Sequence, residues 1–221
     1  MTSPDHLDLS PGRRLLVMDV DSTLITGEVI EMLAARAGSE ALVTEITERA
    51  MRGELDFASS LHERVATLAG LPVSVFDDVL AEVVLSPGAV ELIAEMADRG
   101  WPVGLVSGGF VEIVGPLAAR LGITLTHANQ LEVLDGRLTG RVSGDVVDRA
   151  AKAVTLRDYA SRVDVPIART IAIGDGANDI DMVTTAGFGI AYNAKPLLCA
   201  AADAVIRDRL DAVLALPVFT A

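Results

Sequence analysis

Two acidic segments of this sequence carry residue types and spacings that suit catalysis. The first is Asp19-Val20-Asp21-Ser22-Thr23, in which two carboxylates stand two residues apart directly after an apolar run. In a loop, such a pair can divide the work, one carboxylate acting as a nucleophile and the other as a general acid/base. An ordinary polar turn or a helix cap would use the same residues, so this motif alone leaves both interpretations open.

The second acidic segment is Gly174-Asp175-Gly176-Ala177-Asn178-Asp179, which also follows an apolar run. Asp175 and Asp179 are four residues apart, so a helix that starts here would place both carboxylates on one face. Together with Asp19 they would form a cluster whose mutual repulsion calls for a cation. A few oxygen ligands that leave room for water and a phosphate suit Mg²⁺.

A third segment offers groups that bind anions. Ser107-Gly108-Gly109 combines a hydroxyl with backbone N–H groups at a predicted helix entry, a combination that forms an anion cradle. Lys152 is a candidate for a positive charge beside a phosphate, although a single lysine is more often a solvated surface residue. Ser107 does not lie in a nucleophile elbow, because Leu105 stands where that turn needs a glycine.

All three segments follow short apolar runs, at residues 15–18, 103–106 and 170–173, that we interpret as β-strands. Runs that are apolar on both faces are typical of strands buried inside a parallel sheet. The carboxyl ends of such strands meet at one edge of the sheet, where open α/β folds bind their ligands. We therefore expect the three polar segments to converge in one crevice.

Helical periodicity alternates with these runs. It predicts a helix from Ser86, as N-cap, to Gly100, and further helices over 111–121 and 147–159. Further short strands are predicted at 189–191 and 204–206. This alternation predicts an α/β fold, with a Rossmann-like, doubly wound parallel sheet.

Two stretches interrupt the alternation. Residues 27–85 read as helical throughout, which is too long for an ordinary crossover, so we interpret them as an inserted helical cap. Residues 129–142 alternate around Asp135-Gly136, which is a strong signal for a small β-hairpin insert. The predicted organisation is therefore a core domain formed by residues 1–26 and 86–221 and a helical cap domain formed by residues 27–85.

The composition excludes several classes of protein. Of the 221 residues, 51% are hydrophobic and 22% are charged, which is too apolar for a disordered acidic chain. A formal net charge of −13 argues against nucleic-acid or anionic-membrane partners, which need a basic surface. No apolar run is long enough for a membrane span, and the segment from Met1 to Arg14 does not resemble a signal peptide. With a single cysteine, Cys199, assigned to the core, the sequence predicts a cytoplasmic protein.

The two acidic motifs, the serine at a strand end and the lone downstream lysine, taken in this order, resemble the haloacid dehalogenase superfamily of phosphotransferases. The resemblance runs from about Arg14 to the C-terminus. Further matching segments are residues 51–57, 61–65, 107–110, 186–191 and 193–196. The match is closest to the branch that hydrolyses O-phospho-L-serine. It implies a HAD-like fold and a Mg²⁺-dependent phosphatase that makes L-serine, in the last step of serine biosynthesis, through an aspartyl-phosphate.

The resemblance also implies roles for individual residues of the core. Asp19 would be the nucleophile, and Asp21 would protonate the leaving oxygen and then activate the attacking water. Mg²⁺ would be held by Asp19, Asp175 and the backbone carbonyl of Asp21, with Asp179 supporting the site from the second shell of ligands. The phosphoryl oxygens would be bound by Ser107, Gly108, Asn178 and the catalytic Lys152.

In the predicted cap, the resemblance implies groups that recognise an amino acid. Glu28 would hold the substrate ammonium and Arg64 its carboxylate, which a planar guanidinium binds in bidentate fashion. Met51 and Phe57 would line the wall that excludes water. Without the surrounding motifs, Glu28 would be interpreted as a charge at a helix start and Arg64 as a solvated helix residue.

Other functions on the same core stay open. The residues are compatible with transfer of the phosphoryl group to an alcohol such as homoserine, or with hydrolysis of phosphothreonine, phosphoethanolamine or another small phosphomonoester. A non-catalytic phospho-ligand binder would be expected to lack Asp19 or Asp21, and both are present. The expected partner is a small phosphomonoester, in a monomer or a homodimer, and we expect no regulatory domain in the short segment before the first strand.

Overall fold

A seven-stranded sheet organises the computed structural model, which describes residues 7–52 and 54–220, without the side chain of Met51. In chain order the strands are β1 (Leu15–Met18), β2 (Val103–Phe110), β3 (Leu125–Leu134), β4 (Arg137–Ser143), β5 (Thr170–Gly174), β6 (Phe188–Tyr192) and β7 (Ala204–Ile206). Their spatial order is β4-β3-β2-β1-β5-β6-β7, and every neighbouring pair is parallel except β3 with β4. The predicted α/β fold with a mostly parallel sheet is confirmed.

Within these described residues, ten α-helices connect the strands and cover the sheet. They are α1 (Val29–Ala37), α2 (Glu40–Met51), α3 (Phe57–Ala66), α4 (Val75–Glu82), α5 (Ala89–Asp98), α6 (Val111–Arg120), α7 (Arg149–Arg162), α8 (Ile180–Thr185), α9 (Pro196–Cys199) and α10 (Pro217–Thr220). None of them is long and apolar enough to cross a lipid bilayer.

The central strand β1 packs against helices on both faces of the sheet. Leu16 and Met18 belong to a core that includes apolar residues of α1, α5 and α6. Leu15 and Val17 belong to a second core, formed with α7 and α8. All four side chains are fully buried, which is why the run is apolar at every position. This two-sided burial fixes the end of β1, where the polar residues begin.

Most of the predicted elements are found, and the differences have local causes. β1 spans the predicted residues, whereas β2 continues as far as Phe110 because its last residues still pair with β3. The residue before helix α5 is Gly88, with a φ of 84°, so the prediction of Ser86 as N-cap was wrong. A left-handed residue at this position favours glycine.

The predicted hairpin forms the edge of the sheet. Strands β3 and β4 pair antiparallel, and Asp135 and Gly136 between them adopt φ values of 50° and 72°. Two left-handed residues in a row form the tight turn that Asp-Gly favours. Cys199 lies at the end of α9 and is partly exposed, but it packs against the core formed with α7 and α8, as expected.

Helices α1 to α4 lie within residues 27–85, as expected for the predicted cap. The chain enters and leaves this segment side by side, because Ile25 and Leu85 form an antiparallel bridge. On its far side, the Gly70 N–H donates to the Leu138 carbonyl at 2.8 Å, and the Leu138 N–H donates to the Leu71 carbonyl at 2.9 Å. The helical segment is therefore anchored both at its two linkers and along β4, while its separation as a domain stays a prediction.

Candidate active site

The three polar segments meet at the carboxyl edge of the sheet, as the strand ends predict. Strand β1 lies between β2 and β5, so the polar residues at the carboxyl ends of these three strands face one crevice. Asp19 follows β1, Ser107 lies near the end of β2, and Asp175 follows β5. Helix α7, which packs on one face of the sheet, contributes Lys152 to the crevice.

A buried lysine links two of the carboxylates. Lys152 is fully buried, and its Nζ lies 2.8 Å from Asp19 Oδ2 and 2.7 Å from Asp179 Oδ1. Burial alone would lower the pKa of Lys152, but the charges of Asp179 and Asp19 raise that pKa above its ordinary value. Lys152 is therefore a fixed cation inside the crevice, in contrast to the solvated residue that a lone lysine usually is.

Three carboxylates form a group that could hold a metal ion. Asp19, Asp175 and Asp179 each offer an oxygen within 4.8 Å of the others. Burial, reinforced by the charge of Asp179, raises the pKa of Asp19 well above its ordinary range and the pKa of Asp175 to about 7. One buried lysine against three carboxylates leaves an excess of negative charge. A divalent cation would neutralise this excess, and the all-oxygen donor set fits a hard cation.

The local structure around Asp179 differs from the predicted helix. A 3₁₀ turn over Ala177–Asp179 precedes α8, and Asp175 lies outside both elements. The Asp179 carboxylate accepts hydrogen bonds from the N–H groups of Asp175 and Gly176, each at 3.1 Å. A Cβ on Gly174 would lie 2.5 Å from Asp179 Oδ2, so this position needs a glycine. A loop that folds back, rather than helical periodicity, brings the two carboxylates together.

Asp21 lies between the sheet and helix α1. Its Oδ1 accepts a hydrogen bond from the Val29 N–H at 2.8 Å, and its Oδ2 accepts one from the Ser107 hydroxyl at 3.1 Å. Burial, together with the charge of Glu28, raises the pKa of Asp21 to about 6. A carboxyl group with that pKa can both give and take a proton near neutral pH, which is the requirement for a general acid/base.

Gly108 and Gly109 form a bulge in β2 that reaches into the crevice. Ser107 pairs with Ala128 of β3 and Phe110 pairs with the next residue of β3, so the two glycines are extra residues in the register. The Gly109 N–H donates to the buried Ser107 hydroxyl at 2.8 Å. A Cβ on Gly109 would lie 2.5 Å from Asp21 Oδ2. Glycines at these positions let the backbone approach the carboxylates, as an anion cradle requires.

Two of the residues expected to recognise an amino acid lie at the mouth of the crevice. Glu28 precedes α1, and its Oε1 accepts a hydrogen bond from the Ser22 hydroxyl at 2.6 Å. Arg64 lies in the last turn of α3, where its Nε donates to the Ser60 carbonyl at 3.2 Å. Burial lowers the pKa of Arg64, while the charge of Glu28 acts in the opposite direction. The two charges are therefore close enough to interact.

The remaining predicted residues border this space to different degrees. The ring of Phe57 packs against the β2 bulge, because a Cβ on Gly108 would lie 3.0 Å from its Cζ. Asn178 lies in the 3₁₀ turn before α8 and is partly exposed. Met51 is the last residue of α2, and its side chain lies outside the described part of the chain.

Two polar residues of the crevice were missed at the level of sequence. Ser22 adopts a left-handed φ of 56° and orients Glu28, and Asn129 hydrogen-bonds to the Gly108 carbonyl at 2.8 Å. The position of Ser22 inside the first acidic motif is a signal that could have identified it. Asn129 stands at the start of the predicted hairpin segment and outside the catalytic motifs, and only the fold reveals its contact.

Comparisons of the sequence with known proteins all point to one family. The model of the haloacid dehalogenase-like hydrolases matches residues 16–184. The chain is 58% identical to phosphoserine phosphatase SerB2 of Mycobacterium tuberculosis, over 91% of this chain and 50% of that protein. It is 54% identical to a phosphoserine phosphatase of Streptococcus thermophilus, over 86% of this chain and 88% of that protein. The chain thus spans about half the length of the Mycobacterium relative and most of the Streptococcus relative.

Solved structures of the same kind superpose on this fold. A phospho-aspartyl intermediate analogue of phosphoserine phosphatase has a TM-score of 0.86 and 40% identity, over 92% of this chain and 98% of that chain. A substrate-bound phosphoserine phosphatase complex has a TM-score of 0.87 and 39% identity, over 93% of this chain and 98% of that chain. The chain therefore belongs to the haloacid dehalogenase-like hydrolase family, where it groups with the phosphoserine phosphatases.

Proposed function

We propose that this chain hydrolyses O-phospho-L-serine to L-serine and phosphate, with Mg²⁺ and through an aspartyl-phosphate at Asp19. The observation that carries the proposal is the buried contact of Asp19 with Lys152 at 2.8 Å, within electrostatic range of the partly buried acid Asp21. Relatives and solved structures that are named phosphoserine phosphatases support the choice of substrate.

In the first step, a carboxylate oxygen of Asp19 attacks phosphorus and forms an O–P bond, while the bond from phosphorus to the serine oxygen breaks. Asp21, protonated at this stage, gives its proton to the departing serine oxygen. In the second step Asp21 takes a proton from water, whose oxygen attacks phosphorus and releases Asp19. A pKa of about 6 for Asp21 supports both proton transfers.

Phosphoryl transfer depends mainly on positioning and on neutralisation of charge. Lys152 would hold a phosphoryl oxygen by the same ammonium that orients Asp19, and Ser107, Gly108 and Asn178 would bind the others. Asp19, Asp175 and the backbone carbonyl of Asp21 would hold Mg²⁺, which would supply further positive charge against the phosphoryl oxygens. Asp179 would keep the metal-binding loop in place through the Asp175 and Gly176 N–H groups.

Recognition of the amino acid is assigned to the predicted cap, residues 27–85. Glu28 would bind the substrate ammonium and Arg64 its carboxylate, since the charge of each interacts with that of Asp21. Phe57, which packs against Gly108, would cover the reacting group and exclude water, together with Met51. A serine-sized substituent on the phosphate would be enclosed between these groups.

The proposal extends to the cellular role predicted from the sequence. The reaction would complete serine biosynthesis in the cytoplasm, with a small phosphomonoester as the partner. The net charge of −13 makes the positive groups of the crevice all the more important, because the substrate is itself an anion.

The direct test is release of phosphate from phosphoserine, phosphothreonine and phosphoethanolamine, with and without Mg²⁺. We expect phosphoserine to be preferred, Mg²⁺ to be required, and Asp19→Asn to lower kcat by about a thousandfold or more. Asp181→Asn, at a partly exposed position of α8 that pairs with Arg149, serves as a control that keeps full activity. Release without a divalent cation, or an active Asp19→Asn variant, would contradict the mechanism. Transfer of the phosphoryl group to added homoserine would favour the phosphotransferase alternative.

A further inference from the structure

A buried asparagine joins two segments that the proposed function assigns to the phosphoryl group. Asn129 lies in β3 and is 1% exposed. Its Nδ2 donates to the Gly108 carbonyl at 2.8 Å, and its Oδ1 accepts from the Val147 N–H at 2.8 Å. One side-chain amide therefore spans the gap between the β2 bulge and the segment that leads into α7.

At its first end, the amide supports the bulge. The register between β2 and β3 passes from Ser107–Ala128 directly to Phe110–Asn129, so the two glycines between them fall outside the regular pairing. The Asn129 side chain supplies a hydrogen bond to the Gly108 carbonyl at the point where the strand pairing is interrupted. The Asn129 side chain thus holds in place the bulge that carries the proposed anion cradle.

At its other end, the amide holds the entry to α7. Val147 is 1% exposed, and the next residue, Asp148, caps the helix by accepting a hydrogen bond from the Ala151 N–H at 2.8 Å. The Lys152 N–H then donates to the Asp148 carbonyl at 3.0 Å, which sets the first turn of the helix. From this turn the Lys152 ammonium reaches Asp19. Because Asn129 holds Val147 in place, it also holds in place the backbone from which the Lys152 side chain extends.

We propose that Asn129 is a positioning residue for phosphoryl transfer, because its amide sets the spacing between Gly108 and Lys152. The inference rests on the proposed function, in which these two residues bind oxygens of the same phosphoryl group. Only a side chain with a donor and an acceptor at one end satisfies both backbone groups. Aspartate would place a second oxygen against the Gly108 carbonyl, and leucine would leave both backbone groups without a partner.

The test compares Asn129→Asp and Asn129→Leu with the unaltered chain, on phosphoserine and on the aryl ester p-nitrophenyl phosphate. We expect kcat/KM to fall by about 10- to 100-fold for both substrates, the range found when supporting groups around a site are removed. The inhibition constant of inorganic phosphate should rise in the same variants. Both substrates should suffer equally, since they share only the phosphoryl group.

A matched control separates positioning from stability. Thr170 is also fully buried and also bridges two backbone segments, because its hydroxyl donates to the Ile167 carbonyl at 2.8 Å and accepts from the Gly187 N–H at 3.2 Å. It lies at the start of β5, at the opposite edge of the sheet from the crevice. Thr170→Val should lower the melting temperature and leave kcat/KM and phosphate inhibition unchanged.

The outcomes are distinct. The inference is overturned if the Asn129 variants behave like Thr170→Val, or if only phosphoserine turnover falls. Should Asn129→Leu fail to fold, the nearly isosteric Asn129→Asp still decides, because it keeps the acceptor for Val147 and changes only the contact with Gly108. If the unaltered chain releases no phosphate from either ester, the proposed function fails instead.

Discussion

The charged centre at the strand ends and the mouth formed by α1 and α3 are built in different ways. In the centre, Lys152, Asp19 and Asp179 are 0%, 3% and 0% exposed, and Lys152 contacts both carboxylates directly. At the mouth, Arg64 and Phe57 are only partly buried, and the Arg64 guanidinium donates to a carbonyl of its own helix. The centre is held by ion pairs among its own side chains, whereas the side chains of the mouth remain partly exposed.

This difference indicates a division between chemistry and selection. Buried charges that are fixed before the substrate arrives can stabilise a transition state without reorganisation, so under the proposed function the centre would act on any small phosphomonoester. Groups at the mouth that keep donor and acceptor capacity can discriminate between substrates by what is attached to the phosphate. Asp21 connects the two regions, because it accepts hydrogen bonds from both Ser107 and Val29.

The largest effect is expected from Lys152→Met, which removes the buried cation of the charged centre. It leaves Asp19 and Asp179 buried without their cation, so kcat should fall by about a thousandfold for phosphoserine and for p-nitrophenyl phosphate alike. Stability without metal should fall by about 3–5 kcal/mol, as when one partner of a buried ion pair is removed. Kinetics and urea unfolding measure the two effects.

Arg149→Met is the matched control for that variant, since Arg149 lies in the same helix but is exposed and pairs with Asp181. It should change neither quantity appreciably. A Lys152→Met variant that retains turnover within tenfold of the unaltered chain would show that the lysine is not part of the chemistry.

The second prediction concerns the mouth alone. Arg64→Ala and Glu28→Gln should each lower kcat/KM for phosphoserine by about 10- to 100-fold, because a charge-assisted contact with the amino acid is lost. Turnover of p-nitrophenyl phosphate, which has neither an ammonium nor a carboxylate, should change far less. Steady-state kinetics on both esters measures this selectivity.

Arg49→Ala provides the control for the mouth, because Arg49 lies on α2 and pairs with Glu63. Both esters should be turned over normally by this variant. Equal losses on the two esters in Arg64→Ala and Glu28→Gln would remove the assignment of these residues to amino-acid recognition.

The third prediction uses pH to probe the centre. The folded-state pKa of Asp175, about 7, lies above its value in the unfolded chain. The folded state therefore binds more protons, so the stability of the metal-free protein should fall as pH rises from about 4 to about 7. Mg²⁺ binds the ionised carboxylates, so the increase in melting temperature that it causes should be larger at pH 8 than at pH 6.

Thermal unfolding with and without Mg²⁺ across this pH range measures the effect. Asp175→Asn should abolish most of the stabilisation by Mg²⁺ at every pH. An increase in melting temperature that is the same at pH 6 and pH 8 would place the metal away from Asp175.

The smallest effect is expected at Ser22, where the charged centre and the mouth meet. Ser22→Ala removes the hydrogen bond that orients Glu28, which should raise KM for phosphoserine by about three- to tenfold, in line with the loss of about 1 kcal/mol. The kcat for p-nitrophenyl phosphate should be unaffected. A drop in kcat on both esters would instead place Ser22 with the chemistry of Asp21.

Much of the fold followed from local patterns in the sequence. Runs that are apolar on both faces predicted β1 and β5, and Asp135-Gly136 predicted the edge hairpin, because these signals depend on a few neighbouring residues. The expected helix carrying both Asp175 and Asp179 was wrong, since side-chain hydrogen bonds to the backbone fold that loop back on itself. Spacing alone does not distinguish these two ways of bringing carboxylates together.

The sequence by itself determined which reactive groups the protein has and at which strand ends they stand. Only the tertiary structure decided that Lys152 is buried against Asp19, and that Asn129 joins the β2 bulge to the start of α7. These contacts link residues far apart in the chain, and they depend on the order of β3, β2, β1 and β5 in the sheet. The strand order is set by the burial of both faces of β1 under helices from distant parts of the chain. Local propensity therefore carries no information on that order.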